Sequence, residues 1–445
     1  MNLSRTIKIR RVAVVLFLFA GICFGQTSDY AAKQSALVTE FEVNGLKVIV
    51  KHRAAAPTVA AGLFIRGGST TIDDKTAGID NLMLNSAIEA GRQFPRQMVR
   101  REIARTGSSI SAGVTRDFCV VALASTRQSF DRVWSIFTDV MLTPAFGTDD
   151  VERNRQLIVT ALRNAELNPD AALQNLTERT LYAGHPYAND PNGTVANVSG
   201  FSIDDLKRRH REVMQTSRLL LVVVGDLDAA KVRSLVMASF GKLPKGNYRQ
   251  AKLPPLDFSR PTLDTVRRSI PTNYIQGIYS APPISSTDMF AMTVATEILK
   301  SRVFEEVRNR RSLSYAPDAF LREQGVNIAG IYVTAVDANQ AIRVMLAEIS
   351  RLKTEPISEN ELEGIAGFFL TSHYLEQETN AAQAATLARY ELIGGGWRNS
   401  FDFLEGVRGV TADDVMAIAK KYIGNIRFAF VGDPSAADRS IFLQN

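Results

Sequence analysis

The chain has 445 residues, of which 45% are hydrophobic and 22% are charged. This composition is typical of a globular protein of two or three domains and excludes a disordered or low-complexity chain. The formal net charge is +6, but the first 25 residues contain four basic and no acidic side chains. Without them 48 basic residues stand against 46 acidic ones, a net charge of about +2, so we expect no nucleic-acid partner.

Residues 1–25 have the pattern of a secretory signal peptide. Basic side chains precede an apolar run from Val12 to Cys23, and small residues then lead to a plausible cleavage point after Gly25. The run is too short to span a bilayer comfortably, so we expect a secreted or periplasmic protein without a membrane span after cleavage. Lipoprotein cleavage before Cys23 is the alternative, which the large side chain of Ile22 disfavours.

Strands and a turn open the mature chain. The stretch "FEVNGLKVIVKHR" places Asn44-Gly45 between two apolar runs, which predicts a β-hairpin, and the strand "TVAAGLFIRGGS" follows it. Further on, "RDFCVVALAS" alternates like a strand. Cys119, the one cysteine after the predicted cleavage point, lies in this stretch, and we interpret it as a core thiol rather than a nucleophile.

The stretch "AGIDNLMLNSAIEAG" at 77–91 has the apolar spacing of a helix with an unusual polar pair. Asn81 and Asn85 stand one helical turn apart and project from the same face. Longer helices are predicted over Thr148–Leu167, Asp170–Tyr182 and Glu359–Tyr374.

The mature chain repeats itself. "LLLVVVGDLDAAKV" and "IRFAFVGDPSAADR" both read as a strand ending in Val-Gly-Asp, and each follows a helix start, capped by Ser202 in one case and Thr411 in the other. We infer two homologous α+β domains, 26–240 and 265–445, each a mainly antiparallel sheet covered on one face by helices. The Pro-rich polar segment 241–264 is predicted to link them.

The order of these parts resembles that of the pitrilysin/insulinase family of zinc peptidases, over most of residues 38–440. In that family a hairpin, a strand ending in Gly-Ser and a helix with His-x-x-Glu-His follow one another. The resemblance implies a LuxS/mitochondrial processing peptidase-like metallohydrolase fold. It aligns Asn81 and Asn85 with the two histidines, Leu84 with the glutamate and Ala161 with the third metal ligand, a later glutamate.

These four positions have lost the family's chemistry. Zinc takes imidazole, thiolate or carboxylate ligands, and a catalytic zinc also needs a base that accepts the proton of its bound water. Asn81 and Asn85 offer only neutral amides, and Leu84 and Ala161 offer no ligand at all. We therefore expect no zinc, no other cofactor and no autonomous hydrolysis.

A second set of family residues is retained. The resemblance implies that an Arg and a Tyr seven residues apart hydrogen-bond the substrate near the scissile peptide and stabilise the oxyanion. "VRNRRSLSY" places Arg308 and Tyr315 at this spacing, the first at a helix end and the second opening the next strand. The alternative is that the arginine lies on a solvated helix face and the tyrosine packs in the core.

An edge strand is a further candidate for peptide binding. The stretch 107–117 resembles the family's substrate-binding strand, with Ala112 and Asp117 in agreement and Ser111 in place of the usual Asn. Such an edge binds an extended peptide by strand addition, unless a partner strand shields it.

The combination favours a non-catalytic subunit that binds extended peptides and pairs with a zinc-bearing paralogous peptidase in a heterodimer. Zinc would then be present only in the partner subunit, and Arg308 and Tyr315 would act in trans. The alternative is a scaffold or interaction protein with the same fold, like the core subunits of respiratory complexes. An independent enzyme with relocated chemistry has no supporting constellation in the sequence.

Overall fold

The computed structural model describes residues 25–444, so the predicted signal peptide lies outside the described residues except for Gly25. The strands of this part are β1 Val38–Val43, β2 Leu46–His52, β3 Thr58–Arg66, β4 Ser109–Val114, β5 Phe118–Thr126, β6 Leu219–Gly225, β7 Thr262–Arg267, β8 Asn273–Ser280, β9 Asp318–Leu321, β10 Ile328–Ala335 and β11 Arg427–Gly432. The helices are α1 Gly25–Ala36, α2 Ile79–Ala87, α3 Arg96–Thr106, α4 Phe130–Leu142, α5 Thr148–Leu167, α6 Pro169–Leu181, α7 Val195–Gly200, α8 Ile203–Val213, α9 Ala229–Ala238, α10 Asp288–Val303, α11 Ala338–Thr354, α12 Glu359–Glu376, α13 Asn380–Ile393, α14 Phe403–Arg408, α15 Ala412–Tyr422 and α16 Arg439–Leu443.

Two sheets organise the molecule. The first has the strand order β1-β2-β6-β3-β5-β4, and β2 and β6 are its parallel pair. The second has the order β7-β11-β8-β10-β9, with β7 and β11 parallel. The orders correspond strand for strand except that β1 has no counterpart, which confirms the predicted α+β fold of two mainly antiparallel sheets with helices.

The structure confirms the predicted hairpin turn and helix caps. Asn44 and Gly45 form the two-residue turn between β1 and β2 with φ angles of 52° and 83°, the left-handed conformation that such a hairpin turn requires. Ser202 and Thr411 each cap a helix with a reciprocal hydrogen-bonded capping box. The duplication thus extends to the caps of α8 and α15.

Each sheet is covered on both faces, not on one. On the first sheet, one face packs against α2, α4, α8 and α9. The other face, with Ile49, Phe64 and Val222, packs against Leu387 and Ala388 of α13 from the second half. Strands buried on both faces have apolar side chains at consecutive positions, as "LLLVVVG" of β6 shows.

The second sheet receives a helix in return. Leu173 and Leu176 of α6, from the first half, pack against Ala429 and Val431 of β11. The two halves therefore exchange one helix each, and neither sheet would be fully covered without the other half.

The segment predicted as a linker is packed rather than free. It runs from the short 3₁₀ helix Phe240–Lys242 to β7, which begins at Thr262. Leu253 and Phe258 pack into a small apolar cluster that also contains Tyr187. Among residues 25–444 no helix combines the length and apolar character that crossing a membrane requires.

Candidate functional site

The aligned histidine positions lie on α2, which begins after Gly78 in the left-handed conformation (φ 94°). Asn81 and Asn85 are half-buried and hydrogen-bond each other. The Asn85 Nδ2 donates to the Asn81 carbonyl at 2.9 Å and to the Asn81 Oδ1 at 2.8 Å. The amides thus satisfy part of their hydrogen-bonding capacity along the helix, one turn apart.

The other two aligned positions carry no polar side-chain atom. Leu84 is fully buried in the first core, so it strengthens the packing of α2 and could not reach a bound water. Ala161 lies on the exposed side of α5, a helix that packs against α2. The two helices that carry the aligned positions therefore lie side by side.

The residues at these positions do not fit a zinc ion. Two mutually bonded amides, a leucine and an alanine provide none of the imidazole, thiolate or carboxylate donors that zinc takes. Among residues 25–444, no group of three or more His, Cys, Asp and Glu side chains is placed to hold a metal.

Three of the histidines have local structural partners. The His52 Nε2 lies 3.0 Å from the Asp226 carboxylate at the surface. The His185 ring caps the turn Pro186–Ala188, and the His210 Nε2 lies 2.8 Å from the Met141 carbonyl. Burial lowers the pKa of both His185 and His210, which favours the neutral imidazole.

Cys119 is a buried thiol of β5, as expected for a core residue. Burial raises the pKa of its thiol well above the ordinary value, and a protonated thiol is a poor nucleophile.

A buried ion pair beside the aligned positions was not predicted from the sequence. The Arg209 guanidinium of α8 binds both carboxylate oxygens of Asp80, at 2.7 and 2.8 Å, and its Nη1 donates to the Thr71 carbonyl. Asp80 and Arg209 are 4% and 8% exposed. This contact fixes α2 against α8 and the loop after β3, independently of any metal.

Arg308 and Tyr315 do lie together. The Arg308 Cζ is 4.0 Å from the centre of the Tyr315 ring and 4.8 Å from that of Phe304, so the guanidinium lies within cation–π distance of two aromatic rings. Tyr315 is 79% exposed, so the alternative of a core tyrosine is wrong. Phe304 was missed, although an aromatic residue one helical turn before the arginine is a readable signal.

The neighbouring arginines behave differently. Arg302 forms a bidentate pair with Glu361, and Arg310 pairs with Glu305 at 3.2 Å. Within residues 25–444 the Arg308 guanidinium makes neither a hydrogen bond nor an ion pair. The solvated helix face of the alternative interpretation therefore describes Arg310, whereas the donors of Arg308 remain available.

The helix end that carries Arg308 is irregular. α10 continues into a π-helical turn, Phe304–Asn309, in which the Arg310 N–H donates to the Glu305 carbonyl at 2.9 Å. Such turns are frequent at functional sites. The chain then reverses at Ser312, which has a φ of 52°. Tyr315 lies in the loop three residues before β9 and does not open the strand, which corrects the prediction.

The predicted peptide-binding stretch contains β4, an edge strand next to α2. In the second sheet the edge strand β9 lies next to α10 in the same way. The two edge hairpins meet where the Asp117 carboxylate accepts the Gly325 N–H at 3.1 Å. Burial raises the pKa of Asp117, although this bond and one from the Tyr187 hydroxyl favour its charged form.

Comparisons with known proteins agree with this arrangement. Residues 47–194 match the insulinase family, peptidase family M16, and residues 200–366 match the family's "Peptidase M16 inactive domain". An uncharacterized zinc protease of Mycobacterium leprae is 22% identical over 94% of this chain and 96% of its own length. The non-peptidase homolog YmxG of Helicobacter pylori is 19% identical over 90% of this chain and 95% of its own.

A solved structure of a protease from Helicobacter pylori has the same fold. It superposes with a TM-score of 0.81 and 16% identity, over 89% of this chain and 99% of that one. The relatives carry both peptidase and non-peptidase names. The chain belongs to the pitrilysin/insulinase (M16) family of peptidases, as a non-catalytic member.

Proposed function

We propose that this protein is the non-catalytic subunit of an exported heterodimeric peptidase. It holds an extended peptide against a paralogous partner that carries the zinc, and it contributes Arg308 and Tyr315 to the reaction. The observation that carries the proposal is the contrast between two sets of family residues in one chain. The metal positions have all lost their donors, whereas the Arg/Tyr pair is assembled and exposed.

The stacking of Arg308 supports a role in transition-state binding. Two aromatic rings restrict the guanidinium while its N–H groups keep no partner within residues 25–444. A donor that is already oriented stabilises a developing oxyanion without reorganising during the reaction. The Tyr315 hydroxyl, exposed beside it, is the second donor.

The sheet edges supply the peptide-binding surface. β4 is an edge strand next to α2, and its outer edge pairs with no other strand among residues 25–444. Strand addition there uses main-chain hydrogen bonds and so accepts many sequences. We expect the bound peptide to be extended.

The test is reconstitution of the mature chain with a secreted paralogue that carries His-x-x-Glu-His. We expect no peptide cleavage by this chain alone and cleavage by the pair. Arg308→Ala in the pair should lower kcat by about 10²- to 10³-fold, the usual effect of removing one oxyanion donor. Tyr315→Phe, which keeps the stacked ring, should lower kcat to a smaller extent.

Arg310→Ala is the matched control, because Arg310 lies on the same turn and is already ion-paired. It should leave kcat within a factor of about two. Equal kcat values for the Arg308→Ala and Arg310→Ala pairs would contradict a role of Arg308 in the partner's reaction.

The scaffold function is favoured by one observation, the exposed apolar side chains Phe368, Tyr374 and Leu375 on α12, a helix with no fully buried residue. A scaffold requires a partner that is not a peptidase, and it predicts that Arg308→Ala has no effect on assembly or activity.

A further inference from the structure

A buried lysine lies outside the site described above. Lys51 of β2 is 4% exposed and stands on the face of the first sheet that α13 covers. Its Nζ lies 5.1 Å from the centre of the Phe401 ring. Within residues 25–444 this ammonium group makes neither a hydrogen bond nor an ion pair, in contrast to Lys47 on the same strand, which pairs with Glu391 at 2.6 Å.

Lys51 lines a small cavity of about 30 Å³ between the two halves. The first half contributes Tyr30 and Lys51, and the second half contributes His373, Gln383 and Ser400. The space is about twice what a single water molecule needs, roughly 10–15 Å³. None of the described residues that line the cavity is a carboxylate.

The cavity also contains a buried acceptor without a partner. Gln383 is 6% exposed, and its Oε1 is buried without a hydrogen-bond partner, whereas its Nε2 donates to the Gln377 carbonyl at 2.6 Å. A buried polar group without a partner is destabilising, and a buried charge without a counter-charge is more so.

The ionisable side chains around the cavity are either positively charged or neutral. Arg53, which follows the end of β2, donates to Asn380, and its charge disfavours a second cation nearby. Burial lowers the pKa of His373, and the charge of Lys51 lowers it further, so its ring is neutral at pH 7. Burial also raises the pKa of the Tyr30 hydroxyl, which keeps this group neutral.

We propose that Lys51 and the cavity around it bind one small monovalent anion, of the size of chloride or formate, between the two halves. The anion accepts hydrogen bonds from the ammonium group and neutralises it. Beside a chloride ion, the remaining space admits one water that donates to the Gln383 Oε1. A divalent oxyanion such as sulfate is too large for this space.

The bound anion stabilises the interface between the two halves. The residues that line the cavity include Lys51 of β2 on one side and residues of α12 and α13 on the other. An anion that binds only the assembled halves stabilises the folded chain by mass action. The proposal is independent of the function of Arg308 and Tyr315.

The experiment is thermal unfolding of the mature chain at constant ionic strength, with sodium gluconate replaced stepwise by chloride or formate. We expect a saturable rise of about 2 °C in the melting temperature with either anion and none with sulfate. A larger response to formate would identify a carboxylate as the preferred occupant, and a larger response to chloride would identify a halide.

Lys51→Met removes the charge and keeps the shape, so this variant should fold and lose the anion response. Lys47→Met is the matched control and should keep it, because Lys47 is paired with carboxylates outside the cavity. Crystals soaked in bromide should show an anomalous peak next to the Lys51 Nζ. A wild-type melting temperature that is the same in gluconate, chloride and formate, or an equal shift in Lys51→Met, would overturn the proposal.

Discussion

At the scale of single residues, α2 is stabilised by its own side chains and by a contact with α8. The Asn85 amide binds Asn81 within α2, and Leu84 adds apolar burial where the family has a charged base. Both contacts stabilise α2 in the absence of a metal ion. Asp80, next in the chain to Asn81, also stabilises it through Arg209 of α8.

Asp80→Asn should destabilise the protein strongly. The change removes the partner of a buried guanidinium and leaves its charge uncompensated, which costs about 3 kcal/mol. The measurement is the free energy of unfolding by urea. Asp74→Asn, an exposed carboxylate in the preceding loop, is the control and should lie within about 0.5 kcal/mol of wild type. Equal effects of the two changes would show that the Asp80–Arg209 pair does not stabilise the fold.

At the scale of elements, the exchanged helices α6 and α13 make each half depend on the other. α13 covers one face of the first sheet, and α6 covers one face of the second sheet. Because both interfaces are apolar, removing side chains from either helix should weaken the whole chain and not only one half.

Leu387→Ala on α13 should cost about 3 kcal/mol, because Leu387 is 2% exposed and its removal opens a cavity against the first sheet. Leu173→Ala on α6 should have a similar effect. In both variants intrinsic fluorescence and circular dichroism should report one coincident transition. Leu375→Ala, at a position 67% exposed on α12, is the control and should be close to neutral. Two separated transitions in Leu387→Ala would contradict the mutual dependence of the halves.

Local features of the fold were predictable from the sequence. Turn chemistry identified the hairpin at Asn44-Gly45, side-chain caps identified the starts of α8 and α15, and the repeated Val-Gly-Asp identified the duplication. The helix exchange was not predictable, because the apolar spacing of α6 and α13 shows that they are buried but not against which sheet. The apolar patterns of the strands likewise contain no information on their order within the two sheets.

The candidate site divides in the same way. The family resemblance implied that Arg308 and Tyr315 form a pair, and the structure brings them into contact, but the π-helical turn that carries Arg308 has no recognisable sequence signature. The Asp80–Arg209 pair joins residues 129 positions apart, and no local pattern connects them. This long-range contact becomes visible only once α2 is known to pack against α8.

At the scale of the whole molecule, charged contacts join the halves at the end of the first sheet. Glu40 of β1 accepts a hydrogen bond from the Trp397 Nε1 at 3.0 Å and one from the Arg398 guanidinium at 2.9 Å, and Lys47 lies 3.0 Å away. The Trp397 hydrogen bond, together with Lys47 and Arg398, lowers the pKa of Glu40 to about 2.

The contacts of Glu40 make the association of the two halves sensitive to acid. The pKa of Glu40 lies below its ordinary value of 4.5, so the stabilisation is complete above pH 4.5 and is lost as the pH falls toward 2. Glu40→Gln should lower the urea midpoint at pH 7 and make its decrease between pH 4.5 and 3 shallower. Glu42→Gln, an exposed neighbour on β1, is the control. An unchanged acid slope in Glu40→Gln would exclude Glu40 as a source of this dependence.

We expect that this chain, which has the peptidase fold, binds no zinc. Equilibrium dialysis with zinc, followed by metal analysis of purified residues 26–445, tests this expectation most directly. We predict less than about 0.1 zinc per chain, because the donor set at Asn81, Leu84, Asn85 and Ala161 does not fit the ion. The variant with Asn81→His, Leu84→Glu, Asn85→His and Ala161→Glu is the positive control and should bind about one zinc. Stoichiometric zinc in the wild-type protein that survives a mild chelator would contradict the assignment of a non-catalytic member.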